Sequence, residues 1–217
     1  MTSFDFKKDP FFNFQSALNT AQLKGIPEYN AMSIATVITE TVQDQTIVKP
    51  SCRVVLFKGF IRGGLSFYTN YHGHKGEQLS LNPNIAATFW WPHLDHQVRI
   101  QGQVEKLTSD ESDQYFWSRP RLSQIGAWAS QQSELLKSTD EFQAQVYRYD
   151  KEFSGQRRIP RPPHWGGYRI IPNEFDFLFL KTGRLHERYV YQEKSLKSAN
   201  SVQSFNDYNW VTFLRYP

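Results

Sequence analysis

One cysteine in 217 residues, Cys52, excludes an internal disulfide, and its place in a strand-like run predicts a buried side chain. No stretch approaches the ~18 consecutive apolar residues of a membrane span, because Asp, Lys or Arg interrupts the longest candidates. The opening "MTSFDFKKDPFFNF" lacks the apolar segment and small-residue cleavage site of a secretory signal, so a cytoplasmic location is expected. Blocks of Lys and Arg are missing too, which speaks against a nucleic-acid-binding tail. No G-x-x-x-x-G-K-[ST] loop, G-x-G-x-x-G turn or G-x-S-x-G elbow occurs. His93, Asp95 and His96 match no metal-ligand spacing, so no metal is expected.

What is present points to a globular chain. Aromatic residues make up 16% and charged residues 21%, and 217 residues suit one substantial core, so a single domain over 1–217 is expected. Net charge is +4, with Lys and Arg placed singly or in pairs, as in "SRPRLSQ" and "GRLHER"; small anions such as phosphates are the matching partners. Residues 9–24 carry Phe11, Phe14, Leu18 and Leu23 near helical spacing, with Pro10 at the start and Gly25 at the stop. From 31 to 107 the period shifts to two, and "HQVRIQGQVEKL" alternates Gln97, Arg99, Gln101 and Gln103 with Val98, Ile100, Gly102 and Val104. "YHGHKGEQLSLNPN" predicts a short helix, and "SDESDQYFWSRPRLSQIGAWASQQSELL" a helix on each side of Arg119–Pro120. An extended "RRIPRPPHWGG", strands from about 168 onward, a polar loop from Lys194 to Asn209 and a last strand "WVTFLRYP" complete the chain. The expected fold is mainly β with peripheral helices (α+β), an antiparallel barrel-like sheet.

Five groups of cations and hydroxyls stand out: Arg53 with Lys58, Lys75 after "YTN", Tyr115 with Arg119 and Ser123, Gln132 with Ser133, and Arg184, His186 and Arg188. If "GRLHERYVY" is a strand, the last three share a face, where two cations ~7 Å apart repel by roughly 2 kcal/mol at an effective dielectric near 20. Anionic ligands would offset that repulsion. Arg53 and Lys58 differ by an odd number and fall on opposite faces of an unbroken strand, so two separate phosphates fit them better than one.

The motifs "CRVVLFKGF", "FYTNYHGHKG", "HQVRIQGQVEKL", "YFWSRPRLSQIGAWASQQS", "PRPPHWGGYRIIP" and "GRLHERYVY" together resemble the pyridoxine/pyridoxamine 5'-phosphate oxidases, in order and spacing. The resemblance implies an FMN-binding split β-barrel homodimer with flavin and substrate at the subunit interface. It implies that Arg53, Val54, Val55, Leu56, Phe57 and Lys58 run along the flavin, with Arg53 and Lys75 near its phosphate. Tyr68, Thr69, His74, Gln97, Gln132, Ser133, Leu178 and Arg188 would complete the cofactor site. Lys58, Tyr115, Arg119 and Ser123 would hold the substrate phosphate, and Arg184 and His186, the implied catalytic pair, would flank the pyridine ring. The implied reaction oxidises pyridoxamine or pyridoxine 5'-phosphate with dioxygen to pyridoxal 5'-phosphate and hydrogen peroxide. His74 stands where the family has an arginine and Leu178 where it often has tryptophan; the tail reads "FLRYP" instead of "RLAP", and the resemblance is expected not to extend to the N-terminal extension that helps cover the substrate in some members. Two alternatives stay open: a related FMN oxidase of another aromatic ring, as in phenazine biosynthesis, and a non-catalytic flavin- or pyridoxal-phosphate-binding protein.

Overall fold

Local chemistry sets the first element. Asp9 accepts the Phe11 N–H at 2.8 Å and Pro10 occupies the first turn, starting α1 (Pro10–Leu23). Phe14 and Leu18 are buried as the spacing predicts, whereas Leu23, on the last turn, is 88% exposed. The computed structural model describes residues 4–194 and 210–217. Most of the polar loop expected at 194–209 lies outside those residues.

The remaining elements are β1 (Ala31–Val42), β2 (Gln45–Leu56), β3 (Phe60–Ile61), β4 (Gly64–Asn70), α2 (His74–Leu81), β5 (Asn84–Trp91), β6 (His96–Lys106), α3 (Ser109–Ser118), α4 (Arg121–Ala129), α5 (Thr139–Glu152), β7 (Trp165–Phe179), β8 (Glu187–Glu193) and β9 (Trp210–Leu214). All pairings are antiparallel, in the order β2-β1-β5-β6-β7-β4-β3, with β8 joining β7 to β9. The mainly β, helix-flanked class expected from the sequence is what forms.

Strand β7 divides the sheet. Along one edge it pairs with β6 from Tyr168 to Phe179, while its first part pairs with β4 and its last part with β8. Pro172, which has no N–H to give, falls between Ile170, the last partner of β4, and Glu174, the first partner of β8. Opposite it β6 shifts register between Gln101 and Gly102, where a Cβ would stand 2.1 Å from the Ile171 carbonyl oxygen. Glycine is required by that approach, and the bulge bends the sheet around its contents.

The contents are aromatic. Phe14 from α1, Phe89 from β5 and Phe175 and Phe177 from β7 are fully buried with Met32, Ile34 and Ile100. Burying each such side chain contributes about 1.5–3 kcal/mol. A second, smaller core of Phe116, Ile125, Phe153, Ile159 and Trp165 fixes α3, α4 and α5 beside β7. As predicted, β6 turns Val98, Ile100, Gly102 and Val104 inward, and Arg119 is extended between α3 and α4.

Two expectations are corrected, and one helix is added. Cys52 is exposed, because it lies with Val54 and Leu56 on the open face of β2, while Ser51, Arg53 and Val55 take the partly covered face. The segment "GRLHER" is not one strand: Thr182–Arg184 form a 3-10 turn with Gly183 and Arg184 left-handed at φ 69° and 63°, and β8 begins at Glu187. Arg184, His186 and Arg188 therefore do not line one strand face. Helix α5 was not anticipated, although Ser138 caps it by accepting the Glu141 N–H at 3.2 Å and Val146 and Tyr149 pack on the second core. Among the described residues no helix is long and apolar enough to cross a membrane.

Candidate active site

A cavity of about 620 Å³ opens where the edge of β2 meets β4, α2 and the α3–α4 corner. Its β2 wall is Val54, Val55 and Leu56, and among the described residues no Asp or Glu lines it. Phe57 does not reach it. That ring is buried among Phe14, Phe60 and Phe89.

Two groups of cations serve the cavity. In the first, Lys75, on the opening turn of α2, donates to Thr69 Oγ1 at 3.0 Å and to Gln132 Oε1 at 2.6 Å. Arg53 stands behind it, donating to Thr36 Oγ1 at 2.5 Å, Ser51 Oγ at 2.8 Å and Gln78 Oε1 at 2.9 Å. All these partners are neutral. Burial, and then repulsion from Arg53, pushes the Lys75 ammonium below its usual range, and burial lowers Arg53. An anion bound here would reverse both effects. Gly73 lets Gln132 approach, since a Cβ there would sit 2.9 Å from Gln132 Oε1. Ser133, left-handed at φ 79°, accepts the His74 backbone N–H at 3.3 Å at the start of α2, while the His74 side chain is exposed.

The second group is Lys58, Tyr115, Arg119 and Ser123, all lining the same cavity. Tyr68 stacks on Tyr115 with ring centroids 3.8 Å apart and on Trp165 at 5.5 Å, forming a rigid aromatic shelf. Burial, with Tyr115 next to it, pushes the Tyr68 hydroxyl up to about 12, so the phenol stays protonated at neutral pH. The Arg119 guanidinium lies 4.6 Å over the Trp165 ring, and its buried Nη1 has no hydrogen-bond partner. Burial lowers Arg119, with Tyr115 acting in the opposite sense. An orphaned guanidinium N–H in a carboxylate-free cavity is a site prepared for an anion.

The other expected residues lie elsewhere. Gln97, Leu178 and Arg188 stand side by side in register across β6, β7 and β8, and Arg184 and His186 precede β8 in its turn. None of these five lines the cavity. Arg188 is fixed by Asp176, donating Nε at 2.9 Å and Nη2 at 2.6 Å, and the same carboxylate is held by Arg99 and by Arg215 Nη1 at 3.5 Å. Its Nη1 donates to the Tyr216 carbonyl at 3.3 Å, tying the C-terminal tail to this group. A single chain thus carries two separate clusters.

Sequence reasoning passed over Thr36, Gln78, Trp165 and Asp176. Asp176 had a visible signal, an acid inside the apolar run "FDFLFL", which needs a cationic partner if buried. Thr36 and Gln78 had none.

Two family models match the chain. One, described as pyridoxamine 5'-phosphate oxidase, covers residues 18–151, and the other, described as the pyridoxine 5'-phosphate oxidase C-terminal dimerisation region, covers residues 165–217. A pyridoxine/pyridoxamine 5'-phosphate oxidase from Bdellovibrio bacteriovorus is 47% identical over 214 residues, spanning 99% of this chain and 100% of the relative. The protein of that name from Microcystis aeruginosa is 44% identical over 183 residues, 84% of this chain and 82% of the relative. Among solved structures, PhzG from Burkholderia lata in complex with tetrahydrophenazine-1-carboxylic acid matches with a TM-score of 0.81 at 24% identity, covering 100% of this chain and 98% of that one, a likeness of fold.

Proposed function

Because the chain belongs to the pyridoxamine 5'-phosphate oxidase family, we propose that it uses FMN to oxidise pyridoxamine and pyridoxine 5'-phosphates to pyridoxal 5'-phosphate with dioxygen. The observation that carries this reading is that two cation groups meet one cavity, Lys75 backed by Arg53 and Lys58 with Arg119, with neutral side chains as the partners of Lys75 and Arg53. A phosphorylated cofactor and a phosphorylated substrate need one group each. The residues fit FMN on the same ground: Lys75 and Arg53 meet only neutral acceptors, and the wall of Val54, Val55 and Leu56 is apolar enough to shield a flat ring from water.

The chemistry FMN supplies when bound is acceptance of a hydride from the substrate's C4' and delivery of the two electrons to dioxygen. The chain's share is binding and orientation. Lys58, Arg119 and Ser123 clamp the substrate phosphate, with Tyr115 held against Tyr68 as a fixed hydroxyl donor. Arg53 and Lys75, steadied by Thr69 and Gln132, hold the cofactor phosphate; Ser133 fixes the start of α2, and His74 adds a donor at the rim. We assign the second cluster to the opposite subunit of a homodimer, with the flavin at the interface. The partner subunit's Arg184 and His186 then close over the substrate ring, and the partner's Gln97, Leu178 and Arg188 reach the flavin. For the amine, loss of hydride and a proton leaves an imine that water converts to aldehyde and ammonia, and dioxygen leaves as hydrogen peroxide.

Lys58, Arg119 and Ser123 favour a phosphorylated ring over an unphosphorylated one. The test is to reconstitute the protein with FMN, add pyridoxamine 5'-phosphate in air, and follow aldehyde and peroxide together. Equal yields are expected; flavin bound with neither product would refute the reading.

A further inference from the structure

The turn before β8 settles a question of proton placement that the reading above leaves open. Leu180 N–H is engaged by the Asp95 carbonyl at 2.8 Å, and the next N–H, that of Lys181, donates to His186 Nδ1 at 3.0 Å. The return is made by two consecutive left-handed residues, Gly183 and Arg184, which fold the chain back so that residue 186 meets residue 181. Left-handed backbone is ordinary for glycine and unusual for arginine, so this closure is a specific local geometry and not a generic loop.

A backbone N–H can only donate. The imidazole nitrogen facing it must therefore offer a lone pair, and the neutral ring then carries its single proton on Nε2. We propose that the Lys181 N–H is a positioning group that fixes His186 as the Nε2-protonated tautomer, so that His186 meets the substrate as a hydrogen-bond donor and not as a base. The inference rests on the assignment of His186 to the substrate ring, and it specifies what that residue does there. With Nδ1 occupied and Nε2 protonated, the ring presents no lone pair to accept a proton. Its complement on the substrate is an acceptor, an oxygen or ring nitrogen with a free lone pair. The hydride leaves C4' without a proton, and the N–H or O–H proton released with it passes to water, so the donor role of His186 and the proposed oxidation are compatible.

Two measurements test this. The first uses the FMN-loaded protein without substrate, labelled with nitrogen-15 in its histidine rings, near pH 8.5 where a free imidazole is neutral. The His186 signals are assigned by their loss in His186→Gln. A pyridine-type Nδ1 and a pyrrole-type Nε2 are expected; a protonated Nδ1, or two nitrogens averaged to similar shifts, overturns the inference. This arm needs no turnover, so it decides the tautomer even if the oxidase reading fails.

The second compares His186→Gln with His186→Asn in steady-state oxidation. The Gln amide nitrogen reaches the place of Nε2 and can donate there, whereas Asn reproduces only the Nδ1 position. His186→Gln should keep about tenfold more turnover than His186→Asn, the worth of one hydrogen bond. Equal losses, or Asn the better of the two, would overturn the donor role while leaving the oxidase reading intact.

Discussion

Replacing Asp176 by alanine should destabilise the protein by several kcal/mol, because it removes the buried acceptor of a three-arginine cluster. The carboxylate is 1% exposed and takes Nε of Arg188 at 2.9 Å and Nη2 at 2.6 Å, together with bonds from Arg99 and Arg215. Burial by itself would push this carboxyl up, but the hydrogen bonds and charges of Arg188 and Arg99 outweigh it and hold the group below the usual carboxylate range. Removing one partner of a buried pair costs ~3–5 kcal/mol, because the remaining charge stays desolvated. The side chains of Arg99 and Arg215 are 39% and 37% exposed and can turn to water, whereas that of Arg188 is 18% exposed, so the lower part of that range is expected. Urea unfolding at fixed protein concentration, with unchanged m, is the assay. Asp176→Asn keeps the shape and one acceptor and should lose ~2 kcal/mol. The acid range adds a second reading: the folded pKa is depressed, so the stabilisation is complete above the unfolded value near ~4 and is lost as pH falls through the folded one. The gap between wild type and Asp176→Asn should hold from neutral pH down to about 4.5 and close below it. A loss under about 1 kcal/mol for Asp176→Ala, or a gap that does not change with acid, would refute this account of the cluster.

Other substitutions separate the roles. Arg119→Ala should raise KM for pyridoxamine 5'-phosphate by about 10–100-fold, the loss of a charge-assisted bond, with flavin affinity unchanged in a fluorescence-quenching titration. Lys75→Met should do the reverse, weakening FMN by at least about tenfold while saturating flavin restores turnover. Arg184→Ala should lower turnover and leave the flavin bound; unchanged turnover removes Arg184 from the mechanism. Gly102→Ala places a methyl group 2.1 Å from the Ile171 carbonyl oxygen and should cost ~2 kcal/mol or more in thermal unfolding.

Much of the architecture was legible because its signals are local. Period-two alternation marked β6, Pro120 marked the α3–α4 break, and Asp9–Pro10 marked the start of α1. Features that depend on neighbours were not legible. The exposure of Cys52 follows from which face of β2 the fold leaves open, which no property of "SCRVV" reveals. The turn at Gly183–Arg184 was hidden because arginine rarely takes a left-handed backbone, so alternation across "GRLHER" suggested a strand. At the site, the motif residues Lys58, Tyr115, Arg119 and Ser123 converge on one cavity, but Thr36 and Gln78, which hold Arg53, are ordinary polar residues until the fold places them.

The central claim is that each active site is built from the cavity of one subunit and the β6–β8 cluster of the other, and mixing two impaired variants, assayed at substrate well below the raised KM of Arg119→Ala, tests it most directly. Arg119→Ala spoils the cavity and Arg184→Ala spoils the second cluster. Unfolded together and refolded with FMN, they form mixed dimers with one wild-type site apiece, so random pairing should recover about a quarter of wild-type turnover. Activity no higher than that of the separate variants, in dimers shown to be mixed, would contradict the shared site.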